Sequence, residues 1–368
     1  MIVLNCPKDA LLKPLQSVVG VVERKHTLPI LSNILVENVE GKTALVATDL
    51  ELQITAWMEG EADTDASFTV SARKLLDITR SLPEDTTLAL DMNNDQLRIQ
   101  AGKSRFNLQT LPAKDFPKLQ IAEGESAGFK IEAGKLRNLL ARAQYAMAVQ
   151  DIRYYLNGML FQLQEGRLVV AATDGHRLAV DAIELEGAEG KQMEMILPRK
   201  TVMELIKLLG EGDQEVTVES GSNQVVFSHP DFELRSKVVD GKFPDYQRVV
   251  PVGYDKSFDI NRQKLHQALA RAAILTNDKY RGVRFAMTAG SLRIACSNNE
   301  QEEAQEELEI DYRFDPLDIG FNVQYIQDVL NNLDCETVNC AFGDANSSLL
   351  ITIPDDKNFN YVVMPMRI

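Results

Sequence analysis

One stretch constrains the chain more than any other: Val170-Ala-Ala-Thr-Asp-Gly-His-Arg-Leu-Ala-Val180. Val169, Val170, Leu178 and Val180 favour strands, and Asp174-Gly175 tolerates positive φ, so the stretch reads as a β-hairpin. It also recurs. Ala47-Thr48-Asp49-Leu50-Glu51 stands about 125 positions earlier, and Ala295-Cys296-Ser297-Asn298-Asn299 about as far after it. A period of that length is a domain in three tandem copies, not a solenoid unit. The middle copy alone carries the Gly-His-Arg-Leu extension, so one special site is expected on a repetitive scaffold.

Each third runs helix, strands, helix, strands. Leu11, Leu12, Leu15, Val18 and Val19 recur at helical spacing, as do Leu136, Leu139, Leu140 and Ala143, and a helix is expected over Arg262–Leu275. Second helices open near Ser71, at Pro198 and at Val323. Strands fill the intervals, among them Gly158–Gln164, Arg167–Ala172 and Ser291–Ser297. Phe243-Pro244-Asp245-Tyr246 matches Asp115-Phe116-Pro117-Lys118 and marks the repeat a second time. Strands in consecutive runs between helices predict an α+β fold with antiparallel sheets and helices on one face. Domains are expected over residues 1–122, 128–252 and 254–368, with Gly, Glu, Ser, Pro and Asp clustered at the joins.

No run of about 18 apolar residues predicts a membrane span. The first residues lack the pattern of a signal peptide. Cys6, Cys296, Cys335 and Cys340 have no metal-ligand spacing and read as reduced thiols of a cytoplasmic protein. A net charge of −15 argues against nucleic acid only if it is spread evenly. It is not. Over the helical segments 8–25, 71–80, 132–153, 199–207, 262–284 and 322–334, twenty basic residues face nine acidic ones, a surplus of 11 that leaves −26 elsewhere. A basic helical face would attract a polyanion while the remainder repels it. Lys and Arg are good helix formers, but so is Glu, which is scarce here. Taken singly, each basic residue reads as a solvated surface charge. No base-reading motif is present, so binding should be sequence-independent.

None of the four histidines, His26, His176, His229 and His266, lies in a metal-binding pattern. Asp174 beside His176 raises acid–base chemistry, but no Ser or Cys nucleophile motif accompanies it, and the turn alone explains Asp-Gly. The acidic run from Glu300 to Glu307 lacks calcium-loop spacing and reads as a solvated or partner-facing strand. No catalytic residue, metal or cofactor is expected. Val362-Val-Met-Pro-Met-Arg-Ile368 joins an edge strand to an adaptable apolar end.

Four of these motifs carry a resemblance. Tyr154-Tyr-Leu-Asn-Gly-Met-Leu-Phe161, Ala172-Thr-Asp-Gly-His-Arg-Leu-Ala179, Phe243-Pro-Asp-Tyr246 and Tyr361-Val-Val-Met-Pro-Met-Arg367 closely resemble the β sliding clamp family of bacterial DNA polymerase III, over the whole chain. The resemblance implies a head-to-tail homodimeric ring with antiparallel sheets outside and helices lining a central hole. It implies a processivity factor that encircles double-stranded DNA, is loaded by an ATP-driven clamp loader and catalyses nothing. Partners would be the polymerase III alpha subunit, the clamp-loader delta subunit and other polymerases and repair proteins, all through short linear motifs.

Matched by motif, the peptide site would comprise Leu156, Thr173, Gly175, His176, Arg177, Leu178, Pro244, Arg248, Val249, Asn322, Tyr325, Ser348, Val362, Val363, Met364, Pro365, Met366 and Arg367. DNA would meet Arg24, Arg73, Arg80, Gln150, Arg153, Tyr154 and Lys200. The subunit interface would set Lys74, Lys103, Arg105, Phe106 and Leu108 against Ile274, Leu275, Glu300, Glu302, Glu303 and Glu306. Gln96 stands where a basic residue can add to that interface, and Tyr280 where Phe can line the pocket. Two other readings compete: a hydrolase using Asp174 and His176, and a protein-binding scaffold without DNA.

Overall fold

The computed structural model describes residues 2–23, 27–39, 41–58, 67–120, 127–277 and 279–367. The chain writes one pattern three times. The first copy is β1 (Ile2–Pro7), α1 (Lys8–Val19), β2 (Asn33–Val39), β3 (Lys42–Thr48), β4 (Leu52–Trp57), β5 (Phe68–Ser71), α2 (Ala72–Ser81), β6 (Thr87–Asn93), β7 (Gln96–Ala101) and β8 (Ser104–Leu111). The second is β9 (Ala127–Glu132), α3 (Ala133–Ala141), β10 (Gly158–Gln164), β11 (Arg167–Thr173), β12 (Arg177–Glu184), β13 (Met193–Pro198), α4 (Arg199–Leu208), β14 (Glu215–Ser220), β15 (Gln224–His229) and β16 (Phe232–Lys237). The third is β17 (Lys256–Asn261), α5 (Arg262–Ala273), β18 (Gly282–Thr288), β19 (Ser291–Ser297), β20 (Glu303–Glu309), β21 (Leu317–Asn322), α6 (Val323–Asn332), β22 (Thr337–Phe342), β23 (Leu349–Ile353) and β24 (Asp356–Val363).

The helices form where the apolar spacing predicts, because each has one stripe to bury. Leu11, Leu15 and Val18 of α1 are 0–1% exposed, and Leu265, Leu269 and Ala272 of α5 are fully buried at the matching positions. The helices are shorter than the charged segments. α3 stops at Ala141, and two short 3₁₀ turns, Gln144–Ala146 and Tyr154–Leu156, follow it. The six helices still hold thirteen basic residues against four acidic ones.

Each copy builds two four-stranded antiparallel sheets, and strands from neighbouring copies join them. In the order β1-β6-β7-β8-β5-β2-β3-β4-β16-β15-β14-β9, strand β4 of the first copy pairs with β16 of the second, Leu52 opposite Ser236. In the order β13-β10-β11-β12-β24-β23-β22-β17, strand β12 of the second copy pairs with β24 of the third, Arg177 opposite Val363. Among the described residues the four-stranded order β20-β19-β18-β21 has no such neighbour. The compact units therefore do not coincide with the copies. One comprises residues Met1–Arg137 and Met203–Val238, the other Asn138–Val202 and Val239–Ile368, and the division runs through α3 and α4.

Candidate peptide-binding site

The recurring Thr-Asp motif is a turn built from side chains. Thr173 Oγ1 donates to the Arg177 carbonyl at 2.6 Å and accepts from the Gly175 amide at 3.0 Å. Asp174 Oδ1 accepts from the His176 and Arg177 amides at 2.9 and 3.1 Å. Thr48 and Asp49 make the same four bonds in the first copy, and Asn298 Oδ1 accepts from Glu300 and Glu302 in the third. An Asx turn thus links the third and fourth strands of every copy. Gly-His-Arg-Leu is consequently no insertion, since Leu50-Glu51-Leu52 fills the same register in the first copy. The middle copy differs in chemistry alone. Gly175 takes φ +90° there without strain, where Leu50 takes +76°.

Arg177 turns inward. Its Nε donates to Asp174 Oδ2 at 3.1 Å, its Nη1 to Asp328 on α6, and its Nη2 to the Tyr145 carbonyl at 2.7 Å. The guanidinium lies 4.6 Å from the Tyr325 ring centre, and the His176 ring stacks nearly parallel to the same ring at 6.4 Å. Tyr361 hydroxyl donates to the Tyr325 carbonyl at 2.8 Å; burial raises its pKa, so it stays a donor. Both Asp174 oxygens are thus occupied by structural bonds, which leaves no free base beside His176.

The chain end completes the surface. Val362 and Val363 pair with Leu178 and Arg177, then Met364 donates its amide to the His176 carbonyl at 2.9 Å and Met366 to Gly320 at 2.8 Å. Leu156, Leu178, Val362 and Val363 are buried, and Leu178 and Val362 share a cluster with Leu160, Ile196 and Phe243. These four are walls. The accessible members are Gly175, His176, Pro244, Arg248, Val249, Met364 and Arg367, with Thr173, Arg177, Tyr325, Ser348, Pro365 and Met366 half-buried between them. Ser348 Oγ lies 3.1 Å from the Tyr254 hydroxyl, and Arg248 pairs with Asp245 at 2.8 Å. Asn322 has a local task, accepting from the Gln324 amide as the N-cap of α6. All eighteen residues belong to one compact unit. Sequence reasoning missed Asp328 and Tyr145, which hold Arg177. Only the Tyr325–Asp328 spacing on one helix face hinted at the first.

The remaining sets lie elsewhere. Arg24 falls outside the described residues. Arg73 and Arg80 stand exposed on α2, and Arg73 also donates to the Val22 carbonyl at 2.9 Å. Gln150 and Tyr154 are exposed and Lys200 is half-buried on α4. Arg153 grips Asp151 through two bonds of 3.0 and 2.8 Å, which pull that carboxyl's pKa down to about 2. Lys103, Arg105, Phe106 and Leu108 lie on β8 or the turn before it, and Lys74 on α2. Ile274 is 77% exposed, Leu275 is half-buried, and Glu300, Glu302 and Glu303 are exposed at β20 or just before it. Glu306 is half-buried and already held by Arg271. Tyr280 is exposed, and Gln96 opens β7. All four thiols are free; burial raises their pKa, that of Cys6 to about 11 and that of Cys340 to about 12, so they are poor nucleophiles. Among the described residues no three His, Cys, Asp or Glu side chains gather as a metal site, and no helix is long and apolar enough to cross a membrane.

Models of the N-terminal, central and C-terminal domains of the DNA polymerase III beta subunit match residues 2–120, 130–245 and 247–367 in succession. The chain belongs to the DNA polymerase III beta subunit family. Within that family it is 47% identical to the beta sliding clamp of Pseudomonas aeruginosa over 98% of both chains, and 43% identical to that of Escherichia coli K12 over the same share. Its structure overlays a Pseudomonas aeruginosa sliding clamp bound to griselimycin with a TM-score of 0.95 at 45% identity, and one from Bartonella birtlesii, also bound to griselimycin, with 0.94 at 36%. Both overlays cover 100% of each chain.

Proposed function

We propose that two copies of this chain close head to tail into a ring around duplex DNA and tether a replicative polymerase to it. Family membership makes the chain a processivity factor with no catalysis of its own. What supports the ring is one observation. β4 pairs with β16 and β12 with β24, but their counterparts β20 and β8 each keep an edge open, β8 meeting β5 over only Thr69–Leu111 and Val70–Thr110. An open edge is a template for another strand. Two unlike edges on one chain pair heterologously, and a heterologous contact closes into a ring when its rotation allows. With the register of the two filled joints, Phe106 would stand opposite Ala304 and Leu108 opposite Glu302 of the next copy. Lys103 and Arg105 would then approach the acidic β20, and Lys74, Ile274, Leu275, Glu300, Glu303 and Glu306 would line the same seam. Domain limits at 1–122, 128–252 and 254–368 follow from the same repeat.

The basic helices would face the DNA, with Arg24, Arg73, Arg80, Gln150, Tyr154 and Lys200 as loose, sequence-independent contacts. Arg153, engaged with Asp151, would contribute less. The peptide site would receive short linear segments of the polymerase alpha subunit, the clamp-loader delta subunit and other polymerases and repair proteins, in the cytoplasm. Apolar walls with a few polar anchors suit such a segment. Sedimentation over a dilution series tests the ring. A species of twice the 41.1 kDa chain, about 82 kDa, should persist at low concentration, because two seams must open together. A Phe106→Cys, Ala304→Cys variant should cross-link between chains. Monomer at every concentration, with no cross-link, overturns the proposal.

A further inference from the structure

Arg271, in the last turn of α5, and Glu306, on the end strand β20, form a closed pair within one chain. Arg271 Nε donates to Glu306 Oε1 at 2.8 Å and Nη2 donates to Oε2, so both carboxylate oxygens are engaged. These bonds lower the Glu306 pKa and keep it an anion at neutral pH. The internal repeat gives the pair a counterpart. Counted from the first helical residue, Arg271 corresponds to Arg142. Counted by strand register, Glu306 opposite Ile294 corresponds to Asp181 opposite Val170. Asp181 lies on β12, the strand that β24 covers. There Arg142 stands 3.4 Å from Asp181 and makes its shorter bond, 2.8 Å, to Asp356 at the start of β24. At that filled joint the guanidinium thus bonds across to the strand it receives. The first copy has Ser17 and Ala56 at these positions and carries neither charge.

We infer that Arg271 is an internal competitor at the subunit seam: it holds Glu306 against the incoming chain and so keeps the ring easier to open. This rests on the pairing of β8 with β20 proposed above. In that register Ser104 would stand opposite Glu306, as Phe232 stands opposite Ala56. The residue before Ser104 is Lys103, in the turn that leads into β8, whereas β24 begins with an acid, Asp356. The polarity of the filled joint is therefore reversed. Arg142 meets two acids, one from each copy, and both contacts attract. Glu306 would meet two bases, one from its own chain and one from the next. A lysine that approaches a bare carboxylate meets a full opposite charge. One that approaches a carboxylate held bidentately by arginine meets little more than a dipole, with a cation of its own sign beside it. Arg271 is 55% exposed, so its removal frees the carboxylate without opening a cavity in the core.

Subunit exchange of the whole chain tests this. Isotopically heavy and light chains are mixed at low salt, and mixed dimers are counted over time by native mass spectrometry. Arg271→Ala should slow exchange about tenfold, because each of two seams regains a charge contact of a few-fold. Arg271→Gln, which keeps much of the stem without the charge, should do the same and guards against an effect on folding. In a Lys103→Ala background either substitution should lose most of its effect, since the cation for which Glu306 was freed is gone. At about 1 M salt, where the screening length is about 3 Å, wild type and variant should exchange alike. Exchange that is unchanged or faster in the charge-free variants overturns the inference; faster exchange would mean that the pair instead steadies Ile274 and Leu275, which follow Arg271 within one turn. A wild-type dimer indifferent to Arg271 overturns this inference alone. A wild-type chain that is monomeric at every concentration overturns the seam and this inference with it.

Discussion

Arg177 looks in the sequence like a binding residue and in the structure is a keystone. Its side chain is 10% exposed and engages two carboxylates, a carbonyl and an aromatic face. Removing it leaves Asp174 and Asp328 half-buried without their cation, so Arg177→Ala should cost on the order of 2–3 kcal/mol in chemical denaturation. Arg177→Lys should recover little, because an ammonium cannot span the three acceptors. Asp181 sets a pH dependence. Burial raises its pKa from 3.8 to about 6, against the pull of Arg142. The folded state therefore favours the neutral acid. Its stabilising effect is complete below pH 3.8 and is lost as pH rises through 6, an effect on the order of 2–3 kcal/mol. Asp181→Asn should flatten the denaturant midpoint between pH 4 and 7; an unchanged slope would show that Asp181 titrates normally.

At the scale of elements, the repeat is a repeat of caps and edges. Asn261 and Asn322 both cap their helices with a side-chain oxygen, on the Lys264 and Gln324 amides. Asn322→Ala should cost about 1 kcal/mol of unfolding free energy, and Asn322→Asp nothing, because a carboxylate caps equally well and suits the helix dipole. Peptide affinity should follow that stability loss only if α6 itself shifts, which a titration of both variants separates. The strand β24 matters differently. It donates pairing to β12 from another copy, and its continuation supplies Met364 and Met366 to the candidate peptide surface. Truncation after Tyr361 should halve the joint, leaving only Tyr361 and Asn360 opposite Ala179 and Val180, and strip the chain end from the candidate site, seen as lost peptide binding together with a lower unfolding midpoint.

For the whole molecule, the open edges of β8 and β20 carry the strongest expectation. Phe106→Asp places a carboxylate in the proposed seam beside an already acidic strand. It should convert the dimer to monomer in sedimentation while each chain unfolds at nearly its wild-type midpoint. Raising salt from 0.1 to 1 M shortens the screening length from about 10 to about 3 Å, so the basic–acidic part of the seam should weaken and its apolar part persist. A dimer indifferent to both changes would place the seam elsewhere.

The sequence by itself determined the period, the helix and strand character of most elements, the hairpin at Val170–Val180 and the absence of catalytic patterns. Those features are written in local spacing, where apolar stripes and turn residues act on neighbours a few positions away. The motif resemblance also pointed to the family and to the eighteen residues proposed for the peptide surface. Only the tertiary structure decided which strands neighbouring copies share, that Asp174 is a turn acceptor rather than a base, and that Arg177 is spent on Asp328, 151 positions away. Such facts depend on pairings across long stretches of chain, which no local period records and only packing brings together.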